Sequence, residues 1–196
     1  MKVFDYQCEW GRFETWTEKP SVELLHTHQT HSINIVSKVE CLTTTEADGM
    51  IFKRDEIPPM SALAIKTADC MPILLLGKDD CVFLHAGWKG LAIGILKQPQ
   101  IAQIRPIYAF IGPSIHSCCF EVSEDFHHHF SGSPYFEKSG EKYFFNLQAE
   151  AYAQLHSQFP DLRIEIAPQC TCCDNTFHSY RRDKTSNRNW NLFFKG

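Results

Sequence analysis

Residues 62–96 read ALAIKTADCMPILLLGKDDCVFLHAGWKGLAIGIL, and the fold turns on this stretch. It holds two apolar runs, each tied to a reactive side chain. The first, Ala62 to Ile65, leads into Thr67-Ala68-Asp69-Cys70. The second, Cys81 to Leu84, ends on His85-Ala86-Gly87-Trp88-Lys89-Gly90. Short apolar runs bounded by Gly, Lys and Asp read as buried strands. Leu91 to Lys97 reads as a short helix with Gly94 inside it. A thiol and an imidazole at the ends of two neighbouring strands can converge on one point, which is what a metal or a nucleophilic centre requires.

Outward from this stretch, Met1 to Trp16 reads as an edge strand with its turn at Gly11, and Ile33 to Val39 as a strand by alternation. Asp48-Gly49 is a turn signal leading into a short strand from Met50 to Phe52. Asp48 has two readings, a turn carboxylate or a catalytic group. Ile57-Pro58-Pro59 is a loop. Ile104 to Phe110 reads as a buried strand that ends in a Gly112-Pro113 turn. Ser123-Glu124-Asp125 looks like a helix start, and His127-His128-His129 like its solvated face. Ser131 to Gly140 reads as a flexible loop. Asn146 to Phe159 is the clearest helix, with Leu147, Ala151 and Leu155 at four-residue spacing. Leu162 to Ile166 is read as the last strand.

The totals narrow the class. A chain of 196 residues is expected to form one domain with a sizeable core. It is 43% hydrophobic and 21% charged, and no apolar run is long enough to span a bilayer. A formal net charge of -4 gives no nucleic-acid footprint, and neither nucleic acid nor membrane is expected as a partner. The first residues lack an apolar signal core, so a cytoplasmic location is expected. The nine cysteines then favour free thiols or a metal over disulfides.

Three histidines, His26, His28 and His31, offer either metal ligands or solvated imidazoles. If His31, Cys70 and His85 meet, two imidazoles and a thiolate form a sensible catalytic zinc set with the fourth position open. Such a zinc brings the pKa of a bound water toward neutrality. Asp69 would then support a ligand or carry a proton. The rival reading is a Cys70–His85 nucleophile pair. Cys170-Thr171-Cys172-Cys173 invites a zinc reading too, but no matching second pair is evident, so no second metal site is expected there. Tyr180-Arg181-Arg182 could grip an anion, since guanidinium groups bind phosphate bidentately.

Several motifs occur in order: Gln29-Thr30-His31-Ser32, Thr67-Ala68-Asp69-Cys70-Met71-Pro72 and His85-Ala86-Gly87-Trp88-Lys89-Gly90. Ile111-Gly112-Pro113 through Phe120-Glu121-Val122 and Cys170-Thr171 through Ser179-Tyr180-Arg181-Arg182 follow. Together, from His28 to about Arg188, they resemble the multicopper polyphenol oxidase (laccase-domain) family of purine nucleoside phosphorylase type. The resemblance implies an α+β fold, a single domain (1–196) of layered mixed β-sheets flanked by helices. It implies a zinc, with copper as the other candidate, on His31, Cys70 and His85. Catalytic roles fall to Cys70 and Asp69, and substrate contacts to Lys89, Arg181 and Arg182. The implied reactions are phosphorolysis of adenosine, inosine, guanosine and methylthioadenosine, and deamination of adenosine.

Three departures from the family pattern stand out. Ser32 replaces the usual glycine, Lys89 replaces the usual arginine, and the leader (about 1–28) is expected to be shortened. The competing functions are a copper-dependent polyphenol oxidase and a zinc-containing binding or editing protein acting on cell-wall precursors. The expected partners are purine nucleosides and phosphate, and the expected assembly is a monomer or homodimer.

Overall fold

The computed structural model describes residues 1–38, 41 and 43–196. In chain order the strands are β1 (Lys2–Cys8), β2 (Gly11–Trp16), β3 (Glu23–Leu25), β4 (Ile35–Ser37), β5 (Gly49–Lys53), β6 (Ser61–Thr67), β7 (Met71–Leu76) and β8 (Asp80–Ala86). Helices α1 (Trp88–Ala92) and α2 (Pro99–Ile104) precede β9 (Tyr108–Ile111), β10 (Glu121–Val122), β11 (Phe136–Ser139) and β12 (Lys142–Phe145). Then come α3 (Leu147–Gln158), β13 (Arg163–Ile166), α4 (Tyr180–Asp183) and β14 (Asn189–Lys195). The result is a mixed α+β fold.

Among the described residues three sheets form, in the orders β1-β2-β14-β6-β3, β13-β9-β7-β8-β5-β4 and β10-β12-β11. The first two are mixed: β3 runs parallel to β6, β4 to β5 and β13 to β9, while the other pairings are antiparallel. Every residue of β7 is buried, and β8 is buried from Cys81 onward. A strand covered on both faces reads as a continuous apolar run rather than an alternating one. On one face, Leu74, Leu76, Phe83 and Phe110 pack against Phe13, Leu63, Ile65 and Phe193 of the five-stranded sheet. Phe13 crosses between the sheets, edge-on to Phe83 and Phe110 with ring centroids 5.9 and 5.0 Å away. On the other face, Ile73, Leu75, Val82 and Leu84 pack against Leu91, Ile95, Ile101, Ala151 and Leu155. Each such large apolar side chain, fully buried, contributes about 1.5–3 kcal/mol.

Several sequence expectations are refined. The residues 1–16 form a complete hairpin, β1 with β2. The strand expected over Ile33–Val39 is the shorter Ile35–Ser37, and Val39 lies outside the described residues. The expected helix Leu91–Lys97 splits into the end of α1 and a 3-10 turn at Ile95–Lys97, because Gly94 adopts φ 95°. That is a left-handed value that glycine takes at no steric cost. Ile104 closes α2 rather than opening a strand, and β9 begins at Tyr108. Part of the expected loop Ser131–Gly140 pairs as β11 with β12. The helix expected over Asn146–Phe159 is α3, and Asn146 caps it by accepting from the Ala149 N–H at 3.0 Å. The strand at Arg163–Ile166 is not the last, because β14 follows and lies between β2 and β6.

Candidate metal centre and cleft

The site begins at the antiparallel pair β7 and β8, in the register Met71 to Ala86 and Pro72 to His85. Cys70 immediately precedes β7, so its sulfur lies beside His85 at the same end of the sheet. Here one expectation is corrected. The run Ala62–Ile65 belongs to β6, in the five-stranded sheet, and the strand next to β8 is β7. The chain crosses between sheets through Thr67-Ala68-Asp69-Cys70, and Asp69 takes φ 89° to make that crossing.

His31 arrives from a separate segment, and Asp48 holds that segment. The fully buried Asp48 carboxylate accepts the N–H groups of Thr30 at 3.0 Å, His31 at 3.0 Å and Ser32 at 2.6 Å. Consecutive N–H groups aimed at one anion form a nest, and His31 takes the left-handed φ of 62° within it. The Ser32 hydroxyl adds a bond to Asp48 at 2.8 Å, a contact that glycine at this position could not make. Gln29 fastens the segment to β6 through both its amide atoms, with the Lys66 backbone as partner at 2.7 and 2.8 Å.

The same carboxylate orients His85. Its Oδ1 accepts from His85 Nδ1 at 2.7 Å, which leaves Nε2 free to bind a metal. Burial pushes the Asp48 carboxyl up, but the bonds from His85 and Ser32 outweigh it and hold the group well below the usual carboxylate range. Burial likewise pushes the Cys70 thiol up and the His85 imidazole down. Their mutual attraction, with Asp48 behind His85, reverses both shifts and favours thiolate beside imidazolium until a metal takes the place of the His85 Nε2 proton.

Ligand atoms of His31, Cys70 and His85 lie within 4.8 Å of one another, with Cys70 Sγ 3.9 Å from His31 Nε2. Bond lengths of about 2.0–2.1 Å to nitrogen and 2.3 Å to sulfur bring such atoms together around one tetrahedral zinc. Gly87 tests the fit. A Cβ there would stand 2.9 Å from Cys70 Sγ and 3.2 Å from His31 Cδ2, so the cradle admits only glycine without a shift. His85 is buried and His31 exposed, so the group opens outward.

It opens into a cleft of about 560 Å³. Among the described residues five cations line it (Lys66, Lys89, Arg181, Lys184 and Arg188), against the single carboxylate of Asp69. Trp88, Ile115, Phe120 and Leu147 supply an apolar wall. Asp69 accepts from the Thr171 hydroxyl at 2.8 Å and from the Arg181 backbone N–H at 2.6 Å. The Arg181 guanidinium lies over the Phe120 ring and donates to the Cys119 carbonyl at 2.9 Å. Lys89 sits over Trp88, 5.7 Å from the ring centroid.

Arg182 differs from its neighbour. It is not among the cleft-lining residues, and its guanidinium donates to the carbonyls of Thr171, Cys172, Asp174 and Phe177 and to Asp183. It fastens a loop, and Arg181 alone of the pair faces the cleft. The ligand reading of His26 also loses support, since its ring packs edge-on to Trp190 and Nδ1 bonds the Thr27 carbonyl. The three consecutive histidines of residues 127–129 are exposed, as a solvated face should be.

The Cys170 cluster has the partner pair that the sequence reading did not find. Cys118 and Cys119, more than 50 residues earlier, lie against Cys170 and Cys173. Among the described residues, this group and the His31 trio are the two sets able to share an ion. Sequence reasoning also passed over Asp48 as a hub, and Lys66, Lys184 and Arg188 as cleft cations. For the last two a signal existed in the basic residues within five positions after Tyr180-Arg181-Arg182-Asp183.

Comparison with known proteins places the chain. The family described as multi-copper polyphenol oxidoreductase laccase matches residues 9–194, and the chain belongs to it. A relative from Aquifex aeolicus (strain VF5), named purine nucleoside phosphorylase, is 34% identical over 182 residues, covering 90% of this chain and 84% of that protein. The crystal structure of Neisseria meningitidis protein NMB0706 is similar with a TM-score of 0.76 at 30% identity, covering 89% of this chain and 75% of that one. YlmD from Geobacillus stearothermophilus is similar with a TM-score of 0.74 at 26% identity, covering 90% and 74%.

Proposed function

We propose that this protein is a zinc-dependent purine nucleoside phosphorylase acting on adenosine, inosine, guanosine and methylthioadenosine, with adenosine deamination at the same centre. The observation that carries the reading is the donor set of His31, Cys70 and His85 at the floor of a cleft lined, among the described residues, by five cations and one carboxylate. The name of the Aquifex relative agrees with it. When bound, zinc supplies a fixed positive charge and Lewis acidity at that floor.

The chain's own residues do the rest. In phosphorolysis a phosphate oxygen bonds to the anomeric carbon as the glycosidic bond breaks. The electron pair leaves on the purine, which takes up a proton. Arg181 grips phosphate with a planar fork, while Lys89 acts as a point charge. Asp69 holds Arg181 in place through its backbone N–H. Trp88 and Phe120 offer flat apolar surface to a purine. In deamination water adds at the amino-bearing carbon and ammonia leaves, and Asp69 is the cleft carboxylate able to pass the proton.

An oxidase that moves several electrons needs a histidine-rich multicopper shell. The histidine-bearing donor set here has two imidazoles and a thiolate, enough for one ion, which supports a single metal centre over a multicopper one. The test is to incubate zinc-loaded protein with adenosine, with and without phosphate, and to separate the products. Adenine and ribose phosphate should form only with phosphate, and inosine in both tubes. No product from fully loaded protein would overturn the enzyme reading and put the binding or editing protein ahead.

A further inference from the structure

Strands β9 and β13 run parallel and in register, Ile111 beside Ile166. Parallel neighbours deliver the loops that follow them to the same end of the sheet. The pairing continues past the strands as a bridge between Ser114 and Cys170, in which Thr171 N–H donates to the Ser114 carbonyl at 3.0 Å. One loop then brings up Cys118 and Cys119, the other Cys170 and Cys173. The Sγ separations are 3.9 Å for Cys118–Cys119, 3.7 Å for Cys118–Cys170, 3.5 Å for Cys118–Cys173 and 3.2 Å for Cys119–Cys173.

Four sulfurs around a tetrahedral zinc, with bonds of about 2.3 Å, stand about 3.8 Å apart. We propose that Cys118, Cys119, Cys170 and Cys173 bind a second, structural zinc ion. Cys170 and Cys173 have the Cys-x-x-Cys spacing that lets one tight turn supply two ligands. The turn is closed by Asp174 N–H donating to the Cys170 carbonyl at 3.0 Å. The His116 N–H points at Cys170 Sγ from 3.4 Å, a donor of the kind that supports a metal-bound thiolate. Binding releases the thiol protons to solvent and leaves a doubly negative zinc tetrathiolate. Two guanidinium groups offset that charge. Arg181 donates to the Cys119 carbonyl and Arg182 to the Cys172 carbonyl, at 2.9 and 3.1 Å. Cys118 and Cys173 are exposed, so the ion has an entry path.

The position gives the site a purpose. Phe120 follows Cys119 directly and carries the Arg181 guanidinium on its ring. An ion clamping the two loops therefore fixes the wall of the cleft from behind.

The test counts zinc by elemental analysis in anaerobically purified wild-type protein, in Cys70→Ser and in Cys119→Ser/Cys173→Ser. The expected result is one zinc retained by Cys70→Ser, and one fewer in the double variant than in wild type. Because the double variant could misfold, Cys70→Ser is also stripped and reloaded with Co²⁺. It should show the intense d–d and sulfur-to-cobalt bands of a tetrathiolate, and an X-ray absorption shell of four sulfurs. No metal in folded Cys70→Ser would overturn the proposal. So would a disulfide among the four cysteines in non-reducing mass spectrometry of the fresh protein. This outcome is independent of nucleoside turnover, so it stands or falls apart from the proposed reaction.

Discussion

His85 and Asp48 meet at 2.7 Å in the interior, one 4% and the other 0% exposed, and Asp48 also receives the backbone that carries His31. One carboxylate thus orients two of the three candidate zinc ligands.

Asp48→Asn places an amide where two oxygens now only accept. At least one N–H of the nest or of His85 then faces another donor, at a cost of about 1–3 kcal/mol. We expect zinc affinity at the His31 centre to fall about 10–100-fold, as for other partners of metal-bound histidines. Competition with a calibrated chelator measures it, and unchanged affinity would remove Asp48 from the assembly of the centre.

Gly87→Ala is a purely steric probe. The residue has φ -75°, which alanine adopts freely, but its Cβ would press on Cys70 Sγ and the His31 ring. Overpacking costs about 1–3 kcal/mol. The expected result is normal circular dichroism with zinc binding weakened roughly 10-fold or more. Full zinc affinity in this variant would show that the cradle is looser than the distances imply.

Arg181 and Arg182 should separate cleanly. Arg181→Ala is expected to raise the phosphate KM about 10-fold, a loss of roughly 1.4 kcal/mol of anion binding. Lys89→Ala should do so less, and both should keep zinc at the His31 centre. Arg182→Ala instead leaves several carbonyls without their charged donor, worth about 1.5–3 kcal/mol. Its melting temperature should drop by about 4–8 °C. A phosphate effect from Arg182 without loss of stability would reverse the two assignments.

Acid stability should depend on Glu165. The Tyr6 hydroxyl donates to this carboxylate and holds it below its ordinary value of 4.5; burial opposes the shift and Arg163 adds to it. The Tyr108 hydroxyl bonds Tyr6 at 2.8 Å and completes the set of groups facing it. A depressed folded-state pKa contributes stability that is present above 4.5 and lost as pH falls through the lower folded value. Glu165→Gln should therefore flatten the stability curve below about pH 4.5, read by urea denaturation at stepped pH. An acid limb as steep as in wild type would exclude this network as its source.

The convergence of His31, Cys70 and His85 was legible because each sits in a short motif of the family pattern. Asp48 was not, since a carboxylate before glycine looks the same whether it makes a turn or gathers N–H groups from a segment 16–18 residues away. The strand β14 escaped for a different reason. Its inward residues include Asn189 and Asn191, both buried, so the apolar alternation is broken. Asn191 is satisfied there by Thr15, Thr67 and the Ile65 carbonyl, partners that exist only once the sheet is formed. The hairpin of β11 and β12 turns at Gly140, and its outer residues Glu137, Lys138 and Ser139 are all exposed, so no periodic pattern marks it. The cysteine pairs are separated by more than 50 residues, and only the parallel register of β9 and β13 brings them together.

The place of β14 between β2 and β6 sets an order of events during synthesis. The hairpin of β1 and β2 leaves the ribosome well before β14, yet it has no neighbour in its sheet until β14 has emerged. Until then Phe13 and Leu63 face a gap where Phe193 belongs, and the long loop closure must precede the pairing that rewards it. The six-stranded sheet can assemble ahead of this step, because β13 completes it earlier in the chain. A nascent chain halted before residue 189 should accordingly carry the six-stranded and three-stranded sheets finished and the five-stranded one open, with β2 and β6 as unpaired edges that invite chaperone binding or pairing with another chain.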